Sequence, residues 1–264
     1  MAITIQQVLD QLTAPAPALE NTVDRLLTGD PGTSVTGIGI TFMPTQQVIQ
    51  QAADLGINLL ITHEGPYYSH HSQTDWLQGD SVFAQKQGLT EASGLAMFRL
   101  HDYIHKYEPD GITAGLVQAL DWEDCIDRVY PASTILDLPD MTVAEIADHL
   151  KLKLNVPYVR VAGDMTMRCR RVGILVGYRG GGTNAIPLFA HEHLDLIIAG
   201  EGPEWETPEY VRDSWQQGRS RALIMLGHAE SEAPGMRALA KRLETWFPAV
   251  PVHFLEEQPL YQIL

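Results

Sequence analysis

The same order of strand, helix and strand occurs twice along the chain, and each time it runs into Glu-Gly-Pro. The first copy reads GIGITF, the helix-patterned TQQVIQQAADLG, then INLLITHEGP; the second reads VGILVG, another helix-patterned stretch, then LDLIIAGEGP. Each copy continues to a further apolar strand that ends near a histidine, FRLHDYIH in one and IMLGHAESE in the other. Glu64 therefore corresponds to Glu201, His101 to His228 and His105 to Glu232. Alternation of this kind predicts an α/β fold. Its repetition predicts two structurally similar α/β halves related by a pseudo-twofold axis. Strand ends of the two halves are then expected to face a common cleft, where α/β sheets usually take ligands.

Local signals fill in the order. Ile5, Val8, Leu9 and Leu12 recur at helical spacing, and the segment from Pro15 to Pro17 interrupts them. Gly56 suits a left-handed helix exit, Ser81 can cap a helix running to about Glu91, and LAMFRL reads as a buried strand. A helix follows from Asp110 to Leu120, and Thr142 with Glu145 makes a capping box for another. Farther on, helices are expected to about Glu192, from Pro208 to Gln217 and from Pro234 to Trp246, with a last strand near Val252. The halves divide near residue 130: 1–130 carries an HE and an HxxxH motif, and 131–264 carries GHxxxE, with a C-terminal segment able to pack on the first half.

Composition excludes several function classes. With 264 residues and 45% hydrophobic content, the chain can bury a core without disulfides. A net charge of -15 repels phosphate backbones and anionic lipid, so neither nucleic acid nor membrane is an expected partner. Arg168, Arg170 and Arg171 read as the flank of a strand rather than a binding patch. Cys125 and Cys169 lack metal-like spacing, and the amino-terminal residues lack a signal-peptide pattern, so a cytoplasmic location is expected.

Chemistry-bearing residues collect at three strand ends. His63 and Glu64 follow INLLIT, His101, Asp102 and His105 follow AMFRL, and His228 and Glu232 follow IMLG. Borderline and hard divalent ions such as Zn²⁺, Mn²⁺ and Fe²⁺ take neutral nitrogen and anionic oxygen donors converging on one point. Carboxylates gathered together also repel unless protons or cations neutralise them, and a metal pair does so economically. His149, His191, His193 and His253 read instead as satisfied polar residues. The glycine-rich turn GYRGGGTN, residues 177–184, has no P-loop Lys-Ser/Thr ending and is better explained as a tight turn than as a phosphate cradle.

These segments resemble the Nif-three-like family of dinuclear-metal proteins, also labelled GTP cyclohydrolase 1 type 2. The resemblance spans nearly the whole chain through ITHEGPYY, HDYIH, YVRVAGD, RRVGILVGYRGGG, IIAGE and GHAESEAPGMRALAKRLETWF, the last being the most specific. The family's usual first motif has two adjacent histidines, its second ends in aspartate, and its third is Gly-His with glutamate four residues on. Here Glu64 stands in place of the second histidine and His105 in place of the aspartate, so the donor set keeps three imidazoles and two carboxylates. The resemblance implies a Nif-three-like fold assembled as a homohexamer, with two divalent ions per subunit held by His63, Glu64, His105, His228 and Glu232.

The function expected from this is a metal-dependent hydrolase acting on a small molecule of the nucleotide class, with Lewis-acidic ions generating the nucleophile from water. Glu232 would bridge the ions, His63 and His228 serving one and Glu64 and His105 the other. His101 and Asp102 would join Glu232 in the catalytic role, with Glu201 a further orienting or proton-transfer group, and Arg160 or Arg179 would meet substrate phosphate. The alternative is a non-catalytic metal-binding regulatory or scaffold hexamer.

Overall fold

A computed structural model of the protein describes residues 2–262. In chain order the elements are α1 (Ile5–Thr13), β1 (Arg25–Thr28), β2 (Ile38–Thr41), α2 (Gln46–Asp54), β3 (Leu59–Thr62), α3 (Ser81–Ser93), β4 (Ala96–Arg99), α4 (Asp102–His105), α5 (Gly111–Ala119), β5 (Ile126–Tyr130) and β6 (Ser133–Thr142). They continue with α6 (Val143–Leu154), β7 (Arg160–Ala162), β8 (Arg168–Leu175), α7 (Gly182–His191), β9 (Leu196–Ala199), α8 (Thr207–Gln216), β10 (Ala222–Met225), α9 (His228–Trp246) and β11 (Val252–Phe254). The chain forms two compact units, residues 1–111 with 236–264, and residues 112–235. The sequence boundary near residue 130 falls inside the second of these, in the turn between β5 and β6.

The first unit is built on a five-stranded sheet ordered β1-β4-β3-β2-β11. Its centre, β2, β3 and β4, is parallel and each strand is buried along its whole length, which is why these segments read as unbroken apolar runs. Val48, Ile49 and Ala52 of α2 pack with Leu60, Met97 and Leu255 into the core on one face. β1 closes one edge antiparallel to β4, and β11 adds in parallel to β2 at the other.

The second unit repeats the plan in a six-stranded sheet ordered β5-β6-β8-β9-β10-β7. β8, β9 and β10 are parallel, in the order of their counterparts β2, β3 and β4, and β7 lies antiparallel on β10 as β1 does on β4. The copies diverge at the opposite edge, where β6 runs antiparallel to β8 while β11 runs parallel to β2. Phe189, Leu194, Ile197, Val211 and Leu223 form the core against this sheet. Within this unit α5 and α9 meet backbone to backbone, since a Cβ on Gly115 would lie 2.4 Å from Gly235 Cα.

Two helix starts differ from expectation. Asp80, not Ser81, caps α3, its carboxylate accepting from Phe83 N–H. α9 begins at His228 and carries Pro234 inside it rather than starting there. A proline near a helix start is usually a first-turn residue; here the helix forgoes one backbone bond and extends back to the histidine. The expected capping box at Thr142 is present: Glu145 N–H donates to the threonine hydroxyl at 3.2 Å and Thr142 N–H to the Glu145 carboxylate at 2.7 Å. Thr142→Ala should destabilise the protein by about 1 kcal/mol and Thr142→Ser by much less, read from urea-unfolding midpoints.

Candidate metal centre

In the first unit the donors follow from where the parallel ladder stops. His63 N–H still donates to Phe42 C=O at 3.1 Å, and Leu100 N–H to Thr62 C=O at 2.8 Å, so the ends of β3 and β4 hold the residues after them in strand-like register. The His63 ring is fully buried, and its Nδ1 lies 3.1 Å from Leu100 C=O. A carbonyl only accepts, so Nδ1 carries the proton and Nε2 is the basic nitrogen.

Past β4 the chain turns into the single-turn helix α4, which Asp24 anchors. One Asp24 oxygen accepts from the His101 and Asp102 amides at 2.8 and 2.9 Å, and the other from the Tyr103 amide at 2.9 Å. His101 Nδ1 donates to Asp102 at 2.9 Å. That hydrogen bond, helped by Val23 N–H and the Thr22 hydroxyl, holds Asp102 well below the usual carboxylate range in spite of its burial. His105 Nδ1 donates in the same way to the buried Asp110 carboxylate, at 3.0 and 3.2 Å. The His63 and His101 rings stack at 4.6 Å, and the His105 ring stands edge-on at 5.1 and 5.2 Å from them. One ligand atom of each of the three histidines lies within 4.8 Å of the other two, a group that could hold a metal ion.

Glu64 is placed by Arg99, the last residue of β4. Its guanidinium is fully buried and donates to a Glu64 oxygen at 2.6 Å, to His63 C=O at 3.2 Å and to His70 C=O. The other Glu64 oxygen faces His101 Nε2 at 3.7 Å. Glu64, His70 and His101 form a second group with metal-ligand spacing. Burial, with repulsion from His101 and Arg99, lowers the His70 imidazole below its ordinary range.

In the second unit His228 and Glu232 sit four residues apart on the first turns of α9, facing each other because i and i+4 share a helix face. His228 Nε2 is 3.0 Å from Glu232, and Nδ1 is 2.8 Å from Glu201 at the end of β9. Burial alone would lower the His228 pKa; the two carboxylates overcome it and raise the value to about 9. Gly177, at φ +57°, makes the room: a Cβ there would lie 2.1 Å from a Glu232 oxygen. The glycine-rich turn is thus a steric requirement of this pair. Its amides are already engaged, Gly177 by Ser231 Oγ at 2.9 Å, Gly180 by Glu201 C=O at 3.0 Å and Gly182 by the Glu206 carboxylate at 2.5 Å, which agrees with a tight turn and leaves little for phosphate.

The sequence profile of the Duf34/NIF3 family (NGG1p interacting factor 3) matches residues 3–259. The chain belongs to this family. Among its relatives, a Deinococcus radiodurans protein named GTP cyclohydrolase 1 type 2 homolog is 29% identical over 219 residues, covering 79% of this chain and 75% of the relative. A Bacillus cereus protein described as related to NIF3 has a similar structure, with TM-score 0.79, 15% identity and 99% of both chains covered. A Staphylococcus aureus hypothetical protein aligns at TM-score 0.75 and 16% identity over 100% of both chains. The NIF3 fold expected from the motifs is therefore present, and no helix among the described residues is long and apolar enough to cross a membrane.

Against the sequence reading, this NIF3 chain places His63 and His105 in one cluster, Glu64 beside Arg99, and His228 with Glu232 and Glu201. His101, expected as a proton-transfer group, lies within the imidazole cluster. Asp24, His70, Arg99 and Asp110 were missed. None recurs in both copies; Arg99 lies within FRLHDYIH and Asp110 five residues beyond His105, but neither position by itself signals which side chain it meets. Arg160 pairs with Glu204 at 2.9 Å, and Arg168 and Arg171 pair across the strand edge with Asp140 and Asp127.

Two expectations follow. A histidine whose pKa is raised on folding contributes its stabilisation in full below the unfolded value near 6.5 and loses it as pH climbs through about 9. In metal-free protein, NMR should show His228 titrating near 9, with Glu201→Gln bringing it down. Gly177→Ala should cost roughly 1–2 kcal/mol from backbone strain alone, and should also lower metal uptake measured by elemental analysis.

Proposed function

We propose that this NIF3 protein is a divalent-metal-dependent hydrolase with a dinuclear centre served by His63, Glu64, His105, His228 and Glu232, acting on a nucleotide of the GTP type. The observation that carries the reading is the gathering of imidazoles at the carboxyl ends of parallel strands, each with its Nδ1 engaged by an oxygen acceptor, which is how histidines are oriented toward metal. The names of the relatives supply the substrate class. When bound, divalent ions would supply Lewis acidity that brings the pKa of water toward neutrality.

The chain's own groups have distinct tasks. Asp110 fixes the tautomer and direction of His105, and Glu201 does so for His228. Glu64 has one oxygen held by Arg99 at 2.6 Å, which fixes the direction of its carboxylate. Glu232, buried and 3.0 Å from His228 Nε2, would be the carboxylate that takes the proton when water attacks.

The test is release of formate from GTP by protein loaded with Zn²⁺, Mn²⁺ or Fe²⁺. Release is expected with at least one ion, and Glu232→Gln should lower turnover about 10²–10⁴-fold. Absence of formate with every ion would rule out this substrate, and equal turnover by the variant would rule out the role given to Glu232.

A further inference from the structure

The first unit holds a cavity of about 200 Å³ bounded by the β1–β4 edge of its sheet, the loop after β3, and α3. None of its lining residues is a donor of the candidate metal centre. Leu27, Pro66 and Met97 give it apolar surface, and the exposed Arg25 stands at its edge. Tyr67, Ser72 and Thr74 line it too, and their hydroxyls make no hydrogen bond among the described residues. Those of Thr28 and Thr90 are spent on the Leu95 and Lys86 carbonyls.

Charge around this cavity is out of keeping with the rest of the chain. The sequence has 33 acidic residues against 18 basic ones, yet no acidic residue lines the cavity, and Arg25 has no carboxylate partner among the described residues. A second cation lies just behind the wall. Lys86, on α3 one turn before Thr90, is 6% exposed and donates from Nζ to Pro66 C=O at 2.6 Å, and both Thr90 and Pro66 line the cavity. The Tyr68 ring lies 5.3 Å from Nζ. Both of these partners are neutral. Burial lowers the amine to about 8, which leaves it mostly protonated at neutral pH. A buried cation without an anion is costly, and a carbonyl and a ring face offset only part of that cost.

An anion in the cavity would supply the missing countercharge. We propose that the cavity binds a small phosphate monoester, its phosphate facing Arg25 with the field of Lys86 behind it and its organic group on Leu27 and Met97. Phosphate matches a guanidinium fork beside several uncommitted hydroxyl donors better than a carboxylate does, because it has more terminal oxygens to fill. At about 200 Å³ the cavity is smaller than the pockets that hold drug-sized ligands, so it takes a few carbons and not a whole nucleotide. The site needs no metal and is separate from the function proposed above.

In the test, the full chain, freed of metal by chelation and dialysis so that no bound ion takes the phosphate, is titrated calorimetrically with inorganic phosphate, methyl phosphate and acetate. Both phosphates should bind, acetate should bind more weakly, and phosphate should raise the unfolding temperature of the parent. Arg25→Gln, at an exposed position, should weaken phosphate binding about 10–100-fold, as expected for loss of a charge-assisted hydrogen bond. Lys86→Met should also weaken it, and Thr74→Phe, which fills the cavity while leaving both cations, should abolish it. Arg168→Gln removes an exposed arginine paired with Asp140 in the second unit and should change nothing. Absence of phosphate binding by the parent would overturn the site, as would parental affinity in Arg25→Gln or Thr74→Phe, or an equal loss in Arg168→Gln. Parental affinity in folded Lys86→Met would overturn the part given to that amine; should this variant not fold, Arg25→Gln and Thr74→Phe still decide the site. Tighter binding of acetate than of phosphate would overturn the ligand class.

Discussion

A buried guanidinium must be paired or it is ruinous, and the first unit is organised around meeting that demand for Arg99. Taking the charge out of water costs several kcal/mol even after relaxation. The return comes from the Glu64 carboxylate, the His63 and His70 carbonyls and His70 Nδ1. Arg99 sits opposite Thr62 in the parallel register of β3 and β4, so the ladder decides where the charge is, and the charge decides how the chain from His63 to His70 is laid down. The donors of this unit are therefore placed by two rigid agents, strand pairing on one side and a saturated cation on the other.

The second unit meets a similar need by different means. Its histidine lies between two carboxylates and takes a proton to balance them, where His63, His101 and His105 of the first unit each keep Nδ1 on an oxygen acceptor. Space for that arrangement comes from the absence of a side chain at Gly177, and from Gly200, where a Cβ would lie 2.5 Å from Ser231 Oγ. Duplication of the sheet plan has thus been followed by divergence in how charge is managed at the strand ends.

Much of this was legible in the sequence because it rests on pattern. Six parallel core strands read as apolar runs, the repeat exposed their correspondence, and the capping box at Thr142 was visible from two residues. What escaped notice had weak local signal. β1 and β5 are partly exposed edge strands, and β7 has only three residues, so none carries a strong apolar alternation. Pro234 disguised the start of α9, and with it the helical spacing of His228 and Glu232. His70 reaches Glu64 and His101 from a loop, and Arg99 reads from sequence as a polar residue inside a strand. Such contacts depend on tertiary placement, which no window of residues encodes.

The carboxylate of Asp24 has a consequence for how the protein acquires its donors. It lies just before β1 yet holds the turn bearing His101 and His105, some eighty residues later. Local order after β4 is insufficient, because α4 is too short to persist without tertiary support. The imidazole cluster is consequently a non-local product of the fold: strand pairing alone does not complete it, and it exists only where the segment around Asp24 lies against the turn that carries His101 and His105.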